Sequence, residues 1–251
     1  MIESIQINYL QNSYSFDPQA GIDISTLLKE DSVNCYYAQT VTFEPYVFGD
    51  FVGSVAQGGP VNYQKITLTP HGNGTHTECY GHISSDEDAT IYNCLKKHFF
   101  FSQLITLPTH KEGEDQIIRL EDLEQHLNGI MPEALVIRTT PNNEEKTKKQ
   151  YSGTNPPYLD AEIGKFLAKH NVKHLLVDLP SVDREEDNGE LKCHRAFWQY
   201  PEKTRKDCTI TELVYVNSSV PDGFYFLNLQ VISLWSDASP SKPIIYRLKK
   251  L

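Results

Sequence analysis

No run of apolar residues in the 251-residue chain approaches the roughly 20 that a membrane-spanning helix needs. The opening residues, "MIESIQINYLQNSYSF", lack a basic stretch followed by an apolar one, so no secretory signal is expected. Cysteine is sparse. The five, Cys35, Cys79, Cys94, Cys193 and Cys208, are odd in number and include no C-x-x-C pair. That pattern offers no disulfide framework and fits reduced thiols in a cytoplasmic protein. Positive charge is outnumbered, with 23 Lys and Arg against 33 Asp and Glu and a net charge of -10. A general binder of phosphate backbones needs clustered Lys and Arg, so nucleic acid is not an expected partner, and neither is a membrane. No Gly/Ser or Pro-rich linker divides the chain and no internal repeat recurs, so residues 1–251 are expected to form one domain. The G-x-S-x-G elbow of serine hydrolases is also missing.

The elements that are present alternate. Apolar or alternating runs predict strands at 63–70, 99–108, 133–140, 172–180 and 223–230. "RLEDLEQHLNGI" and "LDAEIGKFLAKHNV" predict helices. Leu120, Leu123 and Leu127 lie on one face of the first, and Leu159, Ile163 and Leu167 on one face of the second. "NPPYLDAE" supplies prolines and acids where the second should start. Helix then strand, repeated, means an α/β protein. The charged stretches 142–150 and 183–192 are expected to be solvated loops.

Chemistry concentrates in "HGNGTHTECYGH" (71–82), where twelve residues hold His71, His76, Glu78 and His82. Imidazole and carboxylate are the nitrogen and oxygen donors that Zn²⁺ or Mn²⁺ takes. His76 and Glu78 are two apart, so on an extended segment both face one side and Cys79 faces the other. Neither the helical H-E-x-x-H spacing nor a zinc-finger spacing is present. A single loop rarely completes a site. The candidates elsewhere are "DLPSVD" (178–183), "CHRAFW" (193–198) with His194, and "ITELVYV" (210–216) with Glu212. On its own, Glu212 would be expected to face water. A cysteine nucleophile would need a thiolate beside a histidine. Cys193–His194, and Cys79 near His82, offer proximity in sequence only.

Taken together, these pieces resemble the cyclase family of metal-dependent hydrolases, which includes bacterial kynurenine formamidases and isatin hydrolases. The family signature H-x-G-T-H-x-D-x-P-x-H is met by "GTHTECYGH" (74–82). "DLPSVD", His194, Glu212 and "VPDGFYFLNLQVISLWSDASPSKPIIY" (220–246) follow in the family's order. The resemblance implies a single three-layer domain of the swivelling β/β/α type, with a mixed sheet and helices on one side. It implies His71, His76, Glu78, His194 and Glu212 as ligands of one or two divalent ions, Zn or Mn, and His82 as the acid/base. It implies hydrolysis of a small aromatic amide, with N-formylkynurenine foremost or else a related cyclic amide, and a homodimer. The alternative is a family member that binds metal or a small molecule without turnover.

Three positions depart from the signature. Gly72 stands where the family has its first histidine, and His71 lies one residue further away, so it reaches the metal only if the backbone bulges. Glu78 replaces Asp, which adds a methylene. Tyr80 and Gly81 replace the family's Pro and the residue after it. The aromatic stretch "FEPYVFGDF" (43–51) is a candidate lining for an aryl slot.

Overall fold

A computed structural model describes residues 2–127 and 129–251. The framework is a mixed sheet of eight strands: β1 (Ile22–Asp23), β2 (His76–Glu78), β3 (Phe99–Pro108), β4 (Ala134–Thr140), β5 (His174–Val177), β6 (Thr209–Glu212), β7 (Gly223–Val231) and β8 (Ala238–Arg247). Their order is β7-β3-β4-β5-β6-β2-β8-β1, and β7 also pairs with β8. That last pairing joins the two ends, so all but β1 form a closed barrel. Strands β3 to β6 run parallel. β2, β7 and β8 are antiparallel to their neighbours.

The parallel strands β3, β4 and β5 are largely apolar because both of their faces are covered. Leu104, Ile105, Leu135, Val136, Ile137, Leu175, Leu176 and Val177 are all buried. Each such side chain contributes roughly 1.5–3 kcal/mol relative to leaving it exposed. Helices α1 (Leu120–His126), α2 (Ala161–Lys169) and α3 (Lys192–Trp198) follow β3, β4 and β5. α1 packs on β3 and on α2, and α2 on α3, so the helices cover one flank of the barrel. α2 starts where the sequence predicts, with the Asp160 side chain accepting from the Glu162 backbone N–H at 3.0 Å.

The α/β class and the mixed sheet with flanking helices are as expected. The closure of the sheet was not expected. The first predicted helix ends at His126, well before Ile130, and Asn128 lies outside the described residues. The strand expected at 63–70 does not join the barrel. Gln64–Thr67 pairs instead with Thr42–Pro45, in an arm that also carries a small hairpin of Val47–Phe48 against Phe51–Val52. Among the described residues, no helix is long and apolar enough to cross a membrane.

Candidate active site

The predicted site residues meet at one end of the barrel, beyond the carboxyl ends of β5 and β6, where open α/β sheets also gather their ligands. β2 is the keystone. It sits between β6 and β8, and His76 is paired directly with Glu212 on one side and with Pro240 on the other. His76 and Glu78 project to the same face of β2, and neither is exposed. Thr77 points the other way, and its hydroxyl bonds that of Thr211 at 2.8 Å.

His76 Nδ1 lies 3.0 Å from the Gly74 carbonyl. A carbonyl only accepts, so Nδ1 carries the hydrogen, and in the neutral ring Nε2 offers a lone pair. That Nε2 is buried, makes no hydrogen bond, and sits 3.4 Å from Glu212 Oε2. Glu78 Oε2 is likewise buried without a hydrogen-bond partner; His71 Nδ1 lies 3.1 Å from it. Glu78 Oε1 meets His194 Nε2 at 3.0 Å, and His194 Nε2 is 3.8 Å from Glu212 Oε1. The bulge required for His71 exists. Gly72 and Asn73 both direct their N–H groups to the Thr69 carbonyl, each at 3.0 Å. The tight turn absorbs the extra residue and delivers the ring. Glu212 is buried rather than facing water, and Oε1 accepts from the Val182 N–H at 3.0 Å.

Two further carboxylates hold the histidines. Asp183 accepts from His194 Nδ1 at 2.7 Å and from the backbone N–H groups of Cys193 and His194. One side chain therefore caps α3 and aims the imidazole that α3 carries. Asp237, just before β8, does the same for His71, with its Oδ2 2.7 Å from Nε2. Gly81 allows Asp237 this close, because a Cβ at residue 81 would stand 2.0 Å from the Ala89 carbonyl oxygen and 3.0 Å from the Asp237 Cβ. No motif or spacing in the sequence singles out Asp237. Its only signal was its position in the small-residue loop before the last long strand. His82 lies on the turn after β2, with Nδ1 3.6 Å from Glu78 Oε2 and 3.7 Å from Asp237 Oδ2.

Burial opposes charge on His71 and His194. The carboxylates outweigh it, Asp237 and Glu78 for the first and Asp183 and Glu78 for the second, and push each imidazole up to about 10. Burial also works against Glu78, but His82, His194 and His71 hold it well below the usual carboxylate range. Without an ion, the cluster is a stack of buried opposite charges, which is weak evidence of stability for its own sake. The two orphaned atoms, His76 Nε2 and Glu78 Oε2, fit a divalent cation. Ligand atoms of His71, His76 and Glu78 lie within 4.8 Å of one another, as do those of Glu78, His82 and His194, and those of His71, His82 and Asp237. The cysteines take no part. Cys79 directs its thiol to the Ala89 carbonyl, on the face away from Glu78. The Cys193 thiol is raised by burial and by Asp183, which disfavours a thiolate.

A cavity of about 340 Å³ opens onto His71, His82, His194 and Glu212, with Tyr36 and Leu191 among its other walls. A larger one of about 450 Å³ shares part of the 183–192 loop, but it reaches none of the histidines. The site is therefore assigned to the smaller. Residues 43–51 do not line it. They belong to the arm, and Phe48 is 75% exposed.

A model of the Cyclase family matches residues 22–184, about two thirds of the chain. The chain belongs to the cyclase family. It is 30% identical over 191 residues to a kynurenine formamidase of Bacillus cytotoxicus, covering 75% of this chain and 82% of that one. A kynurenine formamidase of Bacillus cereus is 27% identical over 194 residues, covering 76% and 83%. Among solved structures, isatin hydrolase A from Labrenzia aggregata aligns with a TM-score of 0.66 at 13% identity, covering 90% of this chain and 93% of that one. A potential metal-dependent hydrolase with cyclase activity aligns at 0.64 and 16% identity, covering 90% and 98%. These structural likenesses establish a shared cyclase fold.

In this cyclase-family chain, Asp183 provides a direct test of how His194 is held. Asp183→Asn keeps the size but not the charge. It is expected to weaken divalent-metal binding about 10–100-fold, the usual cost of losing the partner behind a ligating histidine. Isothermal titration with Zn²⁺ and Mn²⁺ measures this. Unchanged affinity would remove His194 from the ligand set.

Proposed function

We propose that the protein is a metal-dependent amide hydrolase that releases formate from an aryl formamide, with N-formylkynurenine as the leading substrate. The observation that carries this reading is the pair of orphaned buried atoms, His76 Nε2 and Glu78 Oε2, facing a cluster of three more imidazoles beneath a cavity of ligand size. The kynurenine formamidase relatives support the substrate class. His71, His76, Glu78, His194 and Glu212 would hold one or two divalent ions, and the nitrogen and oxygen donor set suits Zn²⁺ or Mn²⁺. Bound there, the ion makes water a nucleophile near neutral pH and polarises a carbonyl.

The chain's own groups do the rest. Asp183 and Asp237 fix the orientation of His194 and His71. His82, in the cavity wall, is placed to take a proton from the attacking water and return it to the amide nitrogen as the C–N bond breaks. Leu191 and the ring of Tyr36 offer apolar wall to the aryl group. We further propose that the protein works in the cytoplasm as a homodimer, the assembly the family resemblance implies.

The deciding experiment is hydrolysis of N-formylkynurenine by purified protein, followed by the rise of kynurenine absorbance. Turnover is expected to vanish with chelator and to return with Zn²⁺ or Mn²⁺. Metal that binds without turnover would defeat the substrate assignment and favour the binding-only alternative. Turnover indifferent to chelator would defeat the metal.

A further inference from the structure

Tyr36 is a cavity-wall residue that neither the metal cluster nor the proton relay uses. It stands with His71, His82, His194 and Glu212 around one space. It is also one of two successive tyrosines held in left-handed backbone, with φ of 52° at Tyr36 and 53° at Tyr37. That conformation is strained for a bulky L-residue, and it persists only where the surroundings over-determine it.

Here they do. The Cys35 N–H donates to the Gly72 carbonyl at 3.0 Å, and the Cys35 thiol to the His71 carbonyl at 3.3 Å. The Tyr37 N–H donates to Ser152 Oγ at 2.7 Å, and Asn34 Nδ2 to the Ala38 carbonyl at 2.8 Å. Val33, Cys35, Tyr151 and Leu213 make a small buried cluster of their own, and Leu213 follows Glu212. Residue 72 must be glycine for this packing, since a Cβ there would stand 2.1 Å from the Ala38 Cβ. The turn is thus fastened to the segment bearing His71 and to the segment bearing Glu212.

The two tyrosines diverge. Tyr37 is 77% exposed, and its hydroxyl lies over Gly153. Tyr36 is 42% exposed and lines the cavity onto which His71, His82 and His194 open. Ser181 and Glu212 line the same cavity as Tyr36. The ordinary phenol value, about 10, leaves the Tyr36 hydroxyl a protonated donor at neutral pH.

We propose that the Tyr36 hydroxyl is a catalytic residue that donates a hydrogen bond to the carbonyl oxygen of the scissile amide, an inference that rests on the hydrolase reading above. As the water oxygen bonds to the formyl carbon, the π pair of the C=O bond moves onto the carbonyl oxygen, and the Tyr36 O–H donates to it while keeping its own proton. The pair then re-forms C=O as the C–N bond breaks. The nitrogen takes the proton that His82 removed from water, and formate and the aryl amine leave. A donor aimed at charge that develops only in the transition state acts on kcat rather than on substrate binding. A strained, doubly anchored turn is the kind of mount such a donor requires.

The test is Tyr36→Phe, which keeps the ring, the cavity wall and the backbone. Against wild type on N-formylkynurenine, kcat is expected to fall about 100- to 1000-fold, the usual loss for one oxyanion donor. KM, metal content and melting temperature should stay nearly unchanged. A Tyr36→Phe enzyme with wild-type kcat, or with a defect confined to KM, overturns the role of Tyr36 and leaves the hydrolase reading standing. A metal-loaded wild type that does not hydrolyse the formamide overturns the reading itself. Tyr36→Ala separates ring from hydroxyl: it should match Tyr36→Phe in kcat and raise KM as well. A kcat defect in Tyr36→Ala alone would assign the effect to the ring.

Discussion

Replacing Glu78 with glutamine is expected to weaken metal binding by at least about a hundred-fold and to carry kcat/KM down with it. The loss of a mere supporting partner behind a ligand already costs roughly 10–100-fold, and Glu78 is proposed as a ligand itself. Glu78 lies against three of the site's imidazoles. One oxygen is 3.0 Å from His194 Nε2, and the other is 3.1 Å from His71 Nδ1 and 3.6 Å from His82 Nδ1. The same variant has a signature in metal-free protein. Glu78 is held below its ordinary value of 4.5, so its share of stability is present above that pH and is lost as pH falls further. His194 is raised from 6.5 to about 10, so its share is complete below 6.5 and is lost as pH rises toward 10. Chelated wild type should therefore lose thermal stability on both sides, below about 4.5 and between about 6.5 and 10. In Glu78→Gln the acid loss should shrink. The alkaline loss should begin nearer neutrality, because His194 then leans on Asp183 with less help. Thermal unfolding across pH, beside a metal titration, reads both. A variant with wild-type affinity and an unaltered pH curve would deny Glu78 its central place.

The parts of this site that were legible in the sequence are the parts written locally. His76, Glu78 and His82 fall within seven residues, and the two-residue alternation of a strand says which of them share a face. The parallel strands β3, β4 and β5 were legible for a related reason: covered on both faces, they show as largely apolar runs, whereas β6, with two threonines and a glutamate in four residues, does not. Glu212 was legible only through resemblance, because one carboxylate in an apolar run says nothing about the His76 it faces across two strands. Asp237 lies 166 residues from His71, and no period or spacing encodes that contact. Helix α3 was missed because its buried face mixes Cys193 and His194 with Phe197 and Trp198 instead of showing a leucine stripe like that of the equally short α1, and its cap is the remote Asp183 carboxylate. Tyr36 carried no signal at all, since a tyrosine in left-handed backbone is written in the packing around it. The shift of His71 shows the opposite limit. One residue out of register, His71 still meets Glu78, because a single turn closed on the Thr69 carbonyl absorbs the extra residue.

His82→Ala is expected to lower kcat by about 10²- to 10⁴-fold, the range for losing a positioned acid/base, while metal content stays at the wild-type level. The geometry separates His82 from its neighbours. His71, His76 and His194 each have one ring nitrogen fixed by a carboxylate or a carbonyl within 3.0 Å. The closest carboxylate oxygens to His82 Nδ1 are at 3.6 and 3.7 Å, and its side chain is 30% exposed in the cavity wall. A ligand needs to be held, whereas a proton carrier needs to reach and turn. Its ring centroid lies 4.4 Å from that of His71 and 5.3 Å from that of His194, so it borders the place where water would be activated without being locked there. Exogenous imidazole should restore part of the lost rate to His82→Ala by occupying the vacated space. It should do nothing for Glu78→Gln, whose defect is in the ligand set. If metal content fell together with rate in His82→Ala, and imidazole restored neither, His82 would belong with His194 and Glu78 as a ligand, and the proton would have to travel by Asp237.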